Sequence, residues 1–215
     1  MALKAVLFDF DGTFADTAPD LAAAVNRMRA QRGLAPLDTA TVRPYASMGA
    51  RGLLRVGLGV TPEHADYAAM RDEFLERYAE AVCVETRLFP GISELLAALA
   101  KRRISWGIVT NKSTRFTECI VPQLAVQPAC VVCGDSTPHL KPHPASLLLA
   151  AERLAAAPAD CLYAGDDLRD VQAAHAAGMR SAAVLWGYHG TDSDGPLAWN
   201  ADFVISHPSE LLEHL

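Results

Sequence analysis

The chain has 215 residues, of which 51% are hydrophobic and 20% charged, and its formal net charge is −6. This length suits one sizeable domain or a domain with a small insertion, and the composition argues against a disordered, collagen-like or coiled-coil chain. The acidic balance argues against nucleic acid or an anionic membrane as a partner, because both bind basic surfaces.

The start of the chain and its cysteines indicate where the protein works. The first segment, MALKAVLFDFDG, has an apolar run that ends at Asp9 and is too short for a signal peptide. No run reaches the roughly 18 apolar residues of a membrane span. The five cysteines have no disulfide-framework spacing, and Cys130 and Cys133 fall in a predicted strand where they face opposite ways. We therefore expect a cytoplasmic protein with reduced thiols.

Short apolar runs alternate with helical patterns along most of the chain, which is typical of a parallel sheet covered by helices. We predict Ser113, Asp170 and Ser209 as helix starts and Gly178 as a helix end. The pattern predicts an α/β fold with a doubly wound, Rossmann-like parallel sheet as its core. Predicted strands span residues 6–10, 106–110, 131–133, 161–164, 182–185 and 203–205; predicted helices span 92–103, 114–124, 145–154, 171–177 and about 209–215.

One region interrupts the alternation. Residues 19–82 show helical periodicity and no good strand, and Tyr67, Met70, Phe74 and Tyr78 recur there at helical spacing. We expect those four side chains to pack in a core rather than to line a ligand site. The first strand precedes this block and the other strands follow it. We therefore predict a helical cap subdomain over residues 16–87, inserted into a core formed by residues 1–15 and 88–215.

Polar residues follow several predicted strands, at the edge where ligands bind in such sheets. Carboxylates that meet there would repel one another and raise their pKa values, and Mg²⁺ with its preference for oxygen ligands would relieve the repulsion. A cationic side chain and a hydroxyl beside the metal would suit phosphoryl transfer to a carboxylate nucleophile. The segments concerned are Asp9-Phe10-Asp11-Gly12-Thr13, Thr110-Asn111-Lys112, Lys141-Pro142 and Gly165-Asp166-Asp167 with Asp170.

Taken in order, DFDGT, Thr110-Asn111, Lys141-Pro142 and GDDLRD resemble the four motifs of the haloacid dehalogenase superfamily of phosphatases, over nearly the whole chain. The resemblance implies that Asp9 forms an aspartyl-phosphate, and that Asp11 protonates the leaving oxygen and later activates water. It also implies a cap that closes over the site and contacts the substrate.

The same resemblance implies the binding groups. Thr110 would bind a phosphoryl oxygen and Lys141 would neutralise the phosphate. Asp167 stands where many relatives have Ser or Thr, which leaves its role open between a ligand and a remote polar residue. Phe14, in place of a usual Leu, is expected to pack the turn after the nucleophile. The implied ligands of Mg²⁺ are Asp9, Asp11 through its carbonyl, Asp166 and Asp170.

Two groups within the superfamily resemble the chain further. GDSTPHLKPHPASLLLAAERL and AAHAAGM fit bacterial phosphoglycolate phosphatases, whereas RGLAPLD, SMGARGLL, EFLERYAEAVCVETRLFPGI, WGIVTNKSTRF and LWGYHG look like N-acetylmuramic acid 6-phosphate phosphatases. Because some of the latter segments lie in the predicted cap, we expect N-acetylmuramic acid 6-phosphate as substrate. Phosphoglycolate is the alternative, and a phosphosugar mutase activity is a further, less favoured one.

Both candidate substrates carry a carboxylate besides the phosphate. A second cation is therefore expected in the site, and Arg51 is the candidate, because the neighbouring glycines allow a cap loop to approach the core. The alternative interpretation of Arg51 is a solvated arginine at a helix start. Asn111 is expected to bind substrate together with Thr110. Trp186, Tyr188 and His189 are expected to be packing and loop residues. The expected partner is a small phosphate ester, and the expected state is a monomer or weak homodimer.

Overall fold

A computed structural model describes residues 3–190 and 194–215 and contains one six-stranded parallel sheet. The strands lie in the order β5-β4-β1-β6-β7-β8, and β2 and β3 form a separate antiparallel pair. In chain order the strands are β1 Ala5–Phe8, β2 Ala15–Asp16, β3 Arg87–Leu88, β4 Ser105–Val109, β5 Cys130–Val132, β6 Cys161–Gly165, β7 Arg180–Val184 and β8 Phe203–Ile205.

The described residues form eight α-helices besides the strands, and several short 3₁₀ segments. The helices and strands confirm the predicted α/β class with its parallel sheet. The helices are α1 Ala18–Gln31, α2 Thr39–Val42, α3 Gly49–Leu58, α4 Tyr67–Ala79, α5 Ile92–Lys101, α6 Thr114–Ile120, α7 Ala145–Arg153 and α8 Leu168–Ala177.

Strand β1 shows why the sheet is covered on both faces. All four of its residues are buried. Successive side chains of a strand point to opposite faces, so Val6 and Phe8 pack into one hydrophobic cluster while Ala5 and Leu7 pack into another. A strand with apolar residues on both faces is typical of the centre of a doubly wound sheet.

Helices α1 to α4 lie between β2 and β3, where helical periodicity without strands was predicted. Helices α1 and α3 touch closely, since a Cβ atom on Gly57 would lie 2.2 Å from Val25 Cγ2. The pairing of β2 with β3 places the segment that enters helices α1 to α4 beside the segment that leaves them. Sequence patterns missed both strands, because each has only two residues. The predicted core also includes residues 1, 2 and 191–193, which lie outside the described residues.

Two predicted helix starts are wrong. Helix α8 begins after Asp167 and not at Asp170, because the Asp167 side chain accepts a hydrogen bond from Arg169 N and the Asp170 side chain accepts one from Asp167 N. This reciprocal arrangement is a capping box, in which Asp170 occupies the third helical position. At the end of the chain, the predicted helix is a 3₁₀ segment, Pro208–His214, that begins after His207 and not at Ser209.

Other sequence features appear where they were expected. Ser113 precedes α6, and Gly178 ends α8 with a φ of +72°. Cys130 and Cys133 are buried free thiols, and burial raises the pKa of Cys130 to about 11. Within residues 3–190 and 194–215, no helix combines the length and apolar character needed to cross a membrane.

Candidate active site

Three neighbouring strands bring polar residues to one edge of the sheet. Asp9, Thr110 and Asp166 follow β1, β4 and β6, which are adjacent in the order β4-β1-β6. Backbone hydrogen bonds continue the sheet past the strand ends, since Asp9 N donates to Ala164 O at 2.8 Å and Thr110 N donates to Val132 O at 2.9 Å. All three side chains are buried. The sheet itself therefore fixes where they point.

Lys141 reaches this edge from the loop before α7. Asn111 fixes that loop, because its side chain donates to Lys141 O at 3.2 Å and accepts from Lys141 N at 2.9 Å. Both polar ends of the Asn111 amide are thus engaged with the backbone of Lys141. Asn111 lines the cavity as expected for a binding residue, but its contacts make it a positioning residue for Lys141.

The Lys141 ammonium lies among four oxygen atoms. Its Nζ is 2.8 Å from Asp9 Oδ1, 2.7 Å from Asp170 Oδ1, 2.7 Å from the Tyr163 hydroxyl and 3.4 Å from Val109 O. Burial opposes the charge, but Asp170 and Asp9 outweigh burial and raise the pKa of Lys141 above its usual value. The lysine is therefore a fixed positive charge beside Asp9.

Asp9, Asp166 and Asp170 form a buried carboxylate group, whose oxygen atoms lie within 4.8 Å of one another. Burial raises the pKa of Asp9 and of Asp166 to about 7, and repulsion from Asp170 on Asp9 and from Asp9 on Asp166 acts in the same direction. Asp9 Oδ1 has no hydrogen bond of acceptable geometry among the described residues. These features fit a divalent cation with oxygen ligands, which would relieve the repulsion.

The three carboxylates are not equally free to bind a cation. Asp170 Oδ1 accepts from Lys141 Nζ at 2.7 Å and from the Tyr163 hydroxyl at 3.1 Å, and Asp170 Oδ2 accepts from Asp167 N at 3.1 Å. Both oxygens are thus committed to neighbours. Asp166 also accepts hydrogen bonds on both oxygens, but only from neutral donors, whereas Asp170 is paired with the Lys141 ammonium and is therefore better suited to holding that lysine.

Glycines allow the backbone to pass close to Asp166. A Cβ atom on Gly12, which has a φ of +86°, would lie 2.2 Å from Asp166 Oδ2. A Cβ atom on Gly187 would lie 2.1 Å from Asp166 Cβ. Glycine is therefore required at both positions. The positive φ and the close approach to Asp166 explain why the DFDGT segment has a glycine at position 12.

The Asp11 side chain has its own partners, Lys112 and Thr17. Lys112 Nζ donates to Asp11 Oδ1 at 3.0 Å and to Oδ2 at 3.3 Å, and the Thr17 hydroxyl donates to Asp11 Oδ1 at 2.5 Å. The side chain of Asp11 does not join the described carboxylate group. Sequence reasoning assigned no role to Lys112, although it directly follows Asn111 at a polar strand end.

A cavity of about 370 Å³ opens over these residues. Asp9, Asp11, Thr110 and Lys141 all line it. Phe74 and Tyr78, expected only in a core, are buried and also line the cavity, so the cap core and the cavity wall share side chains. The other lining residues are apolar and polar in nearly equal number: Leu21, Ala46, Met48, Gly49, Ala50, Leu75, Phe116 and Leu140, and Ser47, Asn111, Lys112, Ser113, Asp167, Arg169 and Asp170.

Arg51 does not line the cavity. It is exposed on α3, and the lining residues of that helix are Gly49 and Ala50. Residues three and four apart share a helix face, so the exposed Arg51 and Arg55 lie on the outer face while Leu53 and Leu54 are buried. The structure therefore does not bring the expected second cation, Arg51, to the site.

Asp167 and Arg169 connect the start of α8 to the segment before α3. Asp167 binds the Arg169 guanidinium at 2.8 Å through each of its oxygens, and although burial opposes ionisation, Arg169 lowers the pKa of Asp167. Arg169 Nη2 also donates to Ser47 O at 2.8 Å. The Ser47 hydroxyl donates to Asp166 Oδ2 at 3.2 Å. Asp167 is thus a helix cap and a partner of Arg169.

The residues after β7 bind the segment between β1 and α1. The Tyr188 hydroxyl accepts from Thr17 N at 2.7 Å and Ala18 N at 2.9 Å, and it donates to Asp16 Oδ1 at 2.9 Å. Trp186 Nε1 donates to Thr13 O at 3.0 Å. Trp186 and Tyr188 are therefore loop and packing residues, as predicted, and neither lines the cavity.

Comparisons with known proteins give relatives over the full chain. The family model of haloacid dehalogenase-like hydrolases matches residues 6–184. An N-acetylmuramic acid 6-phosphate phosphatase of Pseudomonas aeruginosa is 44% identical, covering 100% of this chain and 96% of its own. A phosphoglycolate phosphatase of Xanthomonas campestris pv. campestris is 45% identical, covering 98% and 95%. A haloacid dehalogenase-like hydrolase structure from Streptococcus pneumoniae has the same fold, with a TM-score of 0.78, 22% identity and coverage of 99% and 98%.

Proposed function

We propose that this chain, which belongs to the haloacid dehalogenase-like hydrolase family and is one of its phosphatases, requires Mg²⁺. We further propose that it hydrolyses a small phosphate monoester that carries a carboxylate. The proposed substrate is N-acetylmuramic acid 6-phosphate. Phosphoglycolate is the alternative, because relatives with either name are about equally similar to this chain.

The buried ion pair of Asp9 and Lys141, 2.8 Å apart at the cavity, carries most of this proposal. In the first step, a carboxylate oxygen of Asp9 attacks the phosphorus atom, and the bond between phosphorus and the leaving oxygen breaks. Asp11 gives its proton to that oxygen, so that the product leaves as an alcohol. Lys141 and the Thr110 hydroxyl balance the charge of the phosphoryl oxygens.

The second step returns the enzyme to its starting state. Asp11, now ionised, takes a proton from a water molecule, and the oxygen of that water attacks the phosphorus atom. The bond between phosphorus and Asp9 breaks, which releases inorganic phosphate and frees the carboxylate. Asp11 ends the cycle protonated, ready for the next leaving group.

Asp9 and Asp166, with the carbonyl of Asp11, are the residues that would hold Mg²⁺. The close approach of the carboxylate oxygens and the raised pKa values of Asp9 and Asp166 support this assignment. When bound, the ion would offset phosphoryl charge and orient the phosphoryl group. Asp170 would act through Lys141, whose ammonium it holds at 2.7 Å.

The size and the walls of the cavity favour the larger substrate. Pockets of about 300–1,000 Å³ accommodate ligands of drug size, and this cavity measures about 370 Å³. Phosphoglycolate has a two-carbon leaving group and would leave much of that volume to water. The methyl groups of an acetylated amino sugar with a lactyl ether would instead contact apolar walls such as Phe74, Leu75 and Phe116.

A phosphate-release assay tests the proposal. It compares kcat/KM for N-acetylmuramic acid 6-phosphate, N-acetylglucosamine 6-phosphate and phosphoglycolate, each with Mg²⁺ and after removal of metal with EDTA. We expect the first substrate to give the highest value, since the second lacks the lactyl group that bears the carboxylate. EDTA should abolish release, and added Mg²⁺ should restore it.

Other outcomes identify the alternatives. A higher kcat/KM for phosphoglycolate than for both sugar phosphates would make the enzyme a phosphoglycolate phosphatase. Isomerisation of a sugar phosphate without release of phosphate would indicate a mutase. Full turnover in EDTA would contradict the metal assignment of Asp9 and Asp166.

A further inference from the structure

Lys112 is a buried cation that the proposed chemistry leaves without a task. Its side chain is 7% exposed, lines the cavity and lies 3.0 Å from Asp11 Oδ1. Lys141 lies 2.8 Å from the nucleophile Asp9 and already supplies the positive charge for the phosphoryl group. The proposed reaction therefore does not need Lys112 for that purpose. The site therefore contains two lysines in different surroundings, one at Asp9 and one at Asp11.

Tyr78 of α4 approaches Lys112 from the cap. Lys112 Nζ lies 4.7 Å from the centre of the Tyr78 ring. The Tyr78 hydroxyl is buried and has no hydrogen bond of acceptable geometry among the described residues. Burial raises the pKa of Tyr78 to about 12, so the phenol keeps its proton and is a donor at neutral pH. A buried donor without a partner is uncommon in proteins and calls for an acceptor.

The surroundings of this pair are apolar. Phe74, Leu75 and Phe116 line the same cavity, and Phe116 packs on Tyr78 with ring centroids 5.0 Å apart. Ser47, the other hydroxyl that the cap contributes to the described lining, already donates to Asp166. Tyr78 and Lys112, with Asp11, are therefore polar groups beside an apolar part of the wall.

We propose that Lys112 and the Tyr78 hydroxyl form the subsite that binds the carboxylate of the substrate's leaving group. The two donors match the two oxygens of a carboxylate, and one donor is charged. The inference rests on the proposed function, in which Asp11 faces the leaving oxygen. Lys112 is bound to Asp11 and is therefore near the leaving group. Lys141 is bound to Asp9 and is therefore near the phosphoryl group.

This subsite replaces the one expected at Arg51. A cation on the outer face of α3 is solvated, whereas Lys112 is buried and its charge is weakly screened. Because Tyr78 belongs to α4 and Lys112 follows β4, the carboxylate would contact the cap and the core at once. Substrates without a carboxylate would leave both donors without an acceptor, which disfavours their binding.

The test measures the specificity ratio, kcat/KM for N-acetylmuramic acid 6-phosphate divided by kcat/KM for N-acetylglucosamine 6-phosphate. We expect Lys112→Met to lower this ratio by about tenfold or more and Tyr78→Phe by roughly three- to tenfold. Lys112→Arg keeps the charge and should retain part of the preference. Lys101→Met, the same change at an exposed position on α5, should leave the ratio unchanged.

A binding measurement gives a readout that does not depend on turnover. N-acetylmuramic acid, the dephosphorylated product, should inhibit the wild-type enzyme more strongly than N-acetylglucosamine, and Tyr78→Phe should reduce this difference. Tyr78→Phe keeps the buried ring, and its melting temperature shows whether the variant remains folded.

The outcomes separate the subsite from the proposed function. Equal loss on both sugar phosphates in Lys112→Met, with an unchanged ratio in Tyr78→Phe, would overturn the subsite and leave Lys112 as an orienting partner of Asp11. In that case the wild-type preference, and with it the proposed function, would still stand. A wild-type enzyme without any preference for the carboxylate-bearing sugar would overturn both.

Discussion

Asp9 is the residue on which the proposed chemistry depends most directly. It lies 2.8 Å from Lys141, and the two nearest carboxylates have other tasks. Asp166 accepts from Thr13, Ser47 and the backbone of Tyr188, and Asp170 is committed to Lys141. No neighbouring carboxylate is therefore free to replace the nucleophile.

Replacement of this nucleophile should abolish turnover. We expect Asp9→Asn to lower kcat by several orders of magnitude, because an amide does not form the covalent intermediate. The measurement is phosphate release under single-turnover conditions. Asp72→Asn, the same change on an exposed part of α4, should retain wild-type activity. A near-normal rate in Asp9→Asn would contradict a covalent mechanism at this residue.

Sequence motifs predicted which residues lie together at the sheet edge where the signal was local. Asp9, Thr110 and Asp166 directly follow predicted strands, so the sheet order alone predicts that they meet. Of the two interpretations of Arg51, the structure agrees with the solvated arginine at a helix start, because Arg51 and Arg55 lie four residues apart on the exposed face of α3. The pairing of Lys112 with Asp11 was not predictable, since it depends on the side-chain direction at the end of β4.

Among the helices, α1 contacts both chain segments that flank the helical block α1 to α4, the one that enters it and the one that leaves it. Tyr188 binds the entering segment through Thr17 N and Ala18 N. Asp20, also in α1, accepts hydrogen bonds from the returning segment at Val84 N, Glu85 N and Thr86 N. The two segments are thus tied to one helix end, beside the paired strands β2 and β3.

Removal of the Tyr188 hydroxyl should weaken this junction. We expect Tyr188→Phe to lower the free energy of unfolding by about 1–3 kcal/mol, because buried donors at Thr17 and Ala18 lose their acceptor. Urea unfolding followed by circular dichroism measures the change. Tyr67→Phe, at a partly buried position on α4, should change the value by less than about 0.5 kcal/mol. Equal effects of the two substitutions would argue against a special role of Tyr188.

At the scale of the whole molecule, the carboxylate group links stability to pH. Burial raises the pKa of Asp9 and of Asp166 to about 7. Protonation therefore stabilises the metal-free fold at low pH, and this contribution is lost as the pH rises through about 7. A bound cation would replace the protons and restore stability above that pH.

Thermal unfolding should show this competition. We expect added Mg²⁺ to raise the melting temperature more at pH 8 than at pH 5.5, since protons occupy the carboxylates at the lower pH. Differential scanning fluorimetry with and without Mg²⁺ measures the shift. Asp166→Asn should show a much smaller shift at both values. A shift that is independent of pH, or that persists in Asp166→Asn, would contradict the assignment.

The overall fold was more predictable than its junctions. Six buried strands and the helical block were visible in the sequence, because hydrophobic periodicity repeats over many residues. Strands β2 and β3 span two residues each and give no periodic signal. The predicted start of α8 is Asp170, whereas the observed start follows Asp167. Both residues suit a helix start, and only the reciprocal hydrogen bonds of the capping box distinguish them.

The contact between Ser47 and Asp166 has a thermodynamic consequence. Ser47 lies in the cap segment, and its hydroxyl donates to a carboxylate that would hold the cation. Linkage between two equilibria is reciprocal, so any effect of the bound ion on the position of the cap returns as an equal factor in the affinity for the ion. Metal titrations and measurements of the position of Ser47 would therefore report on the same coupling free energy.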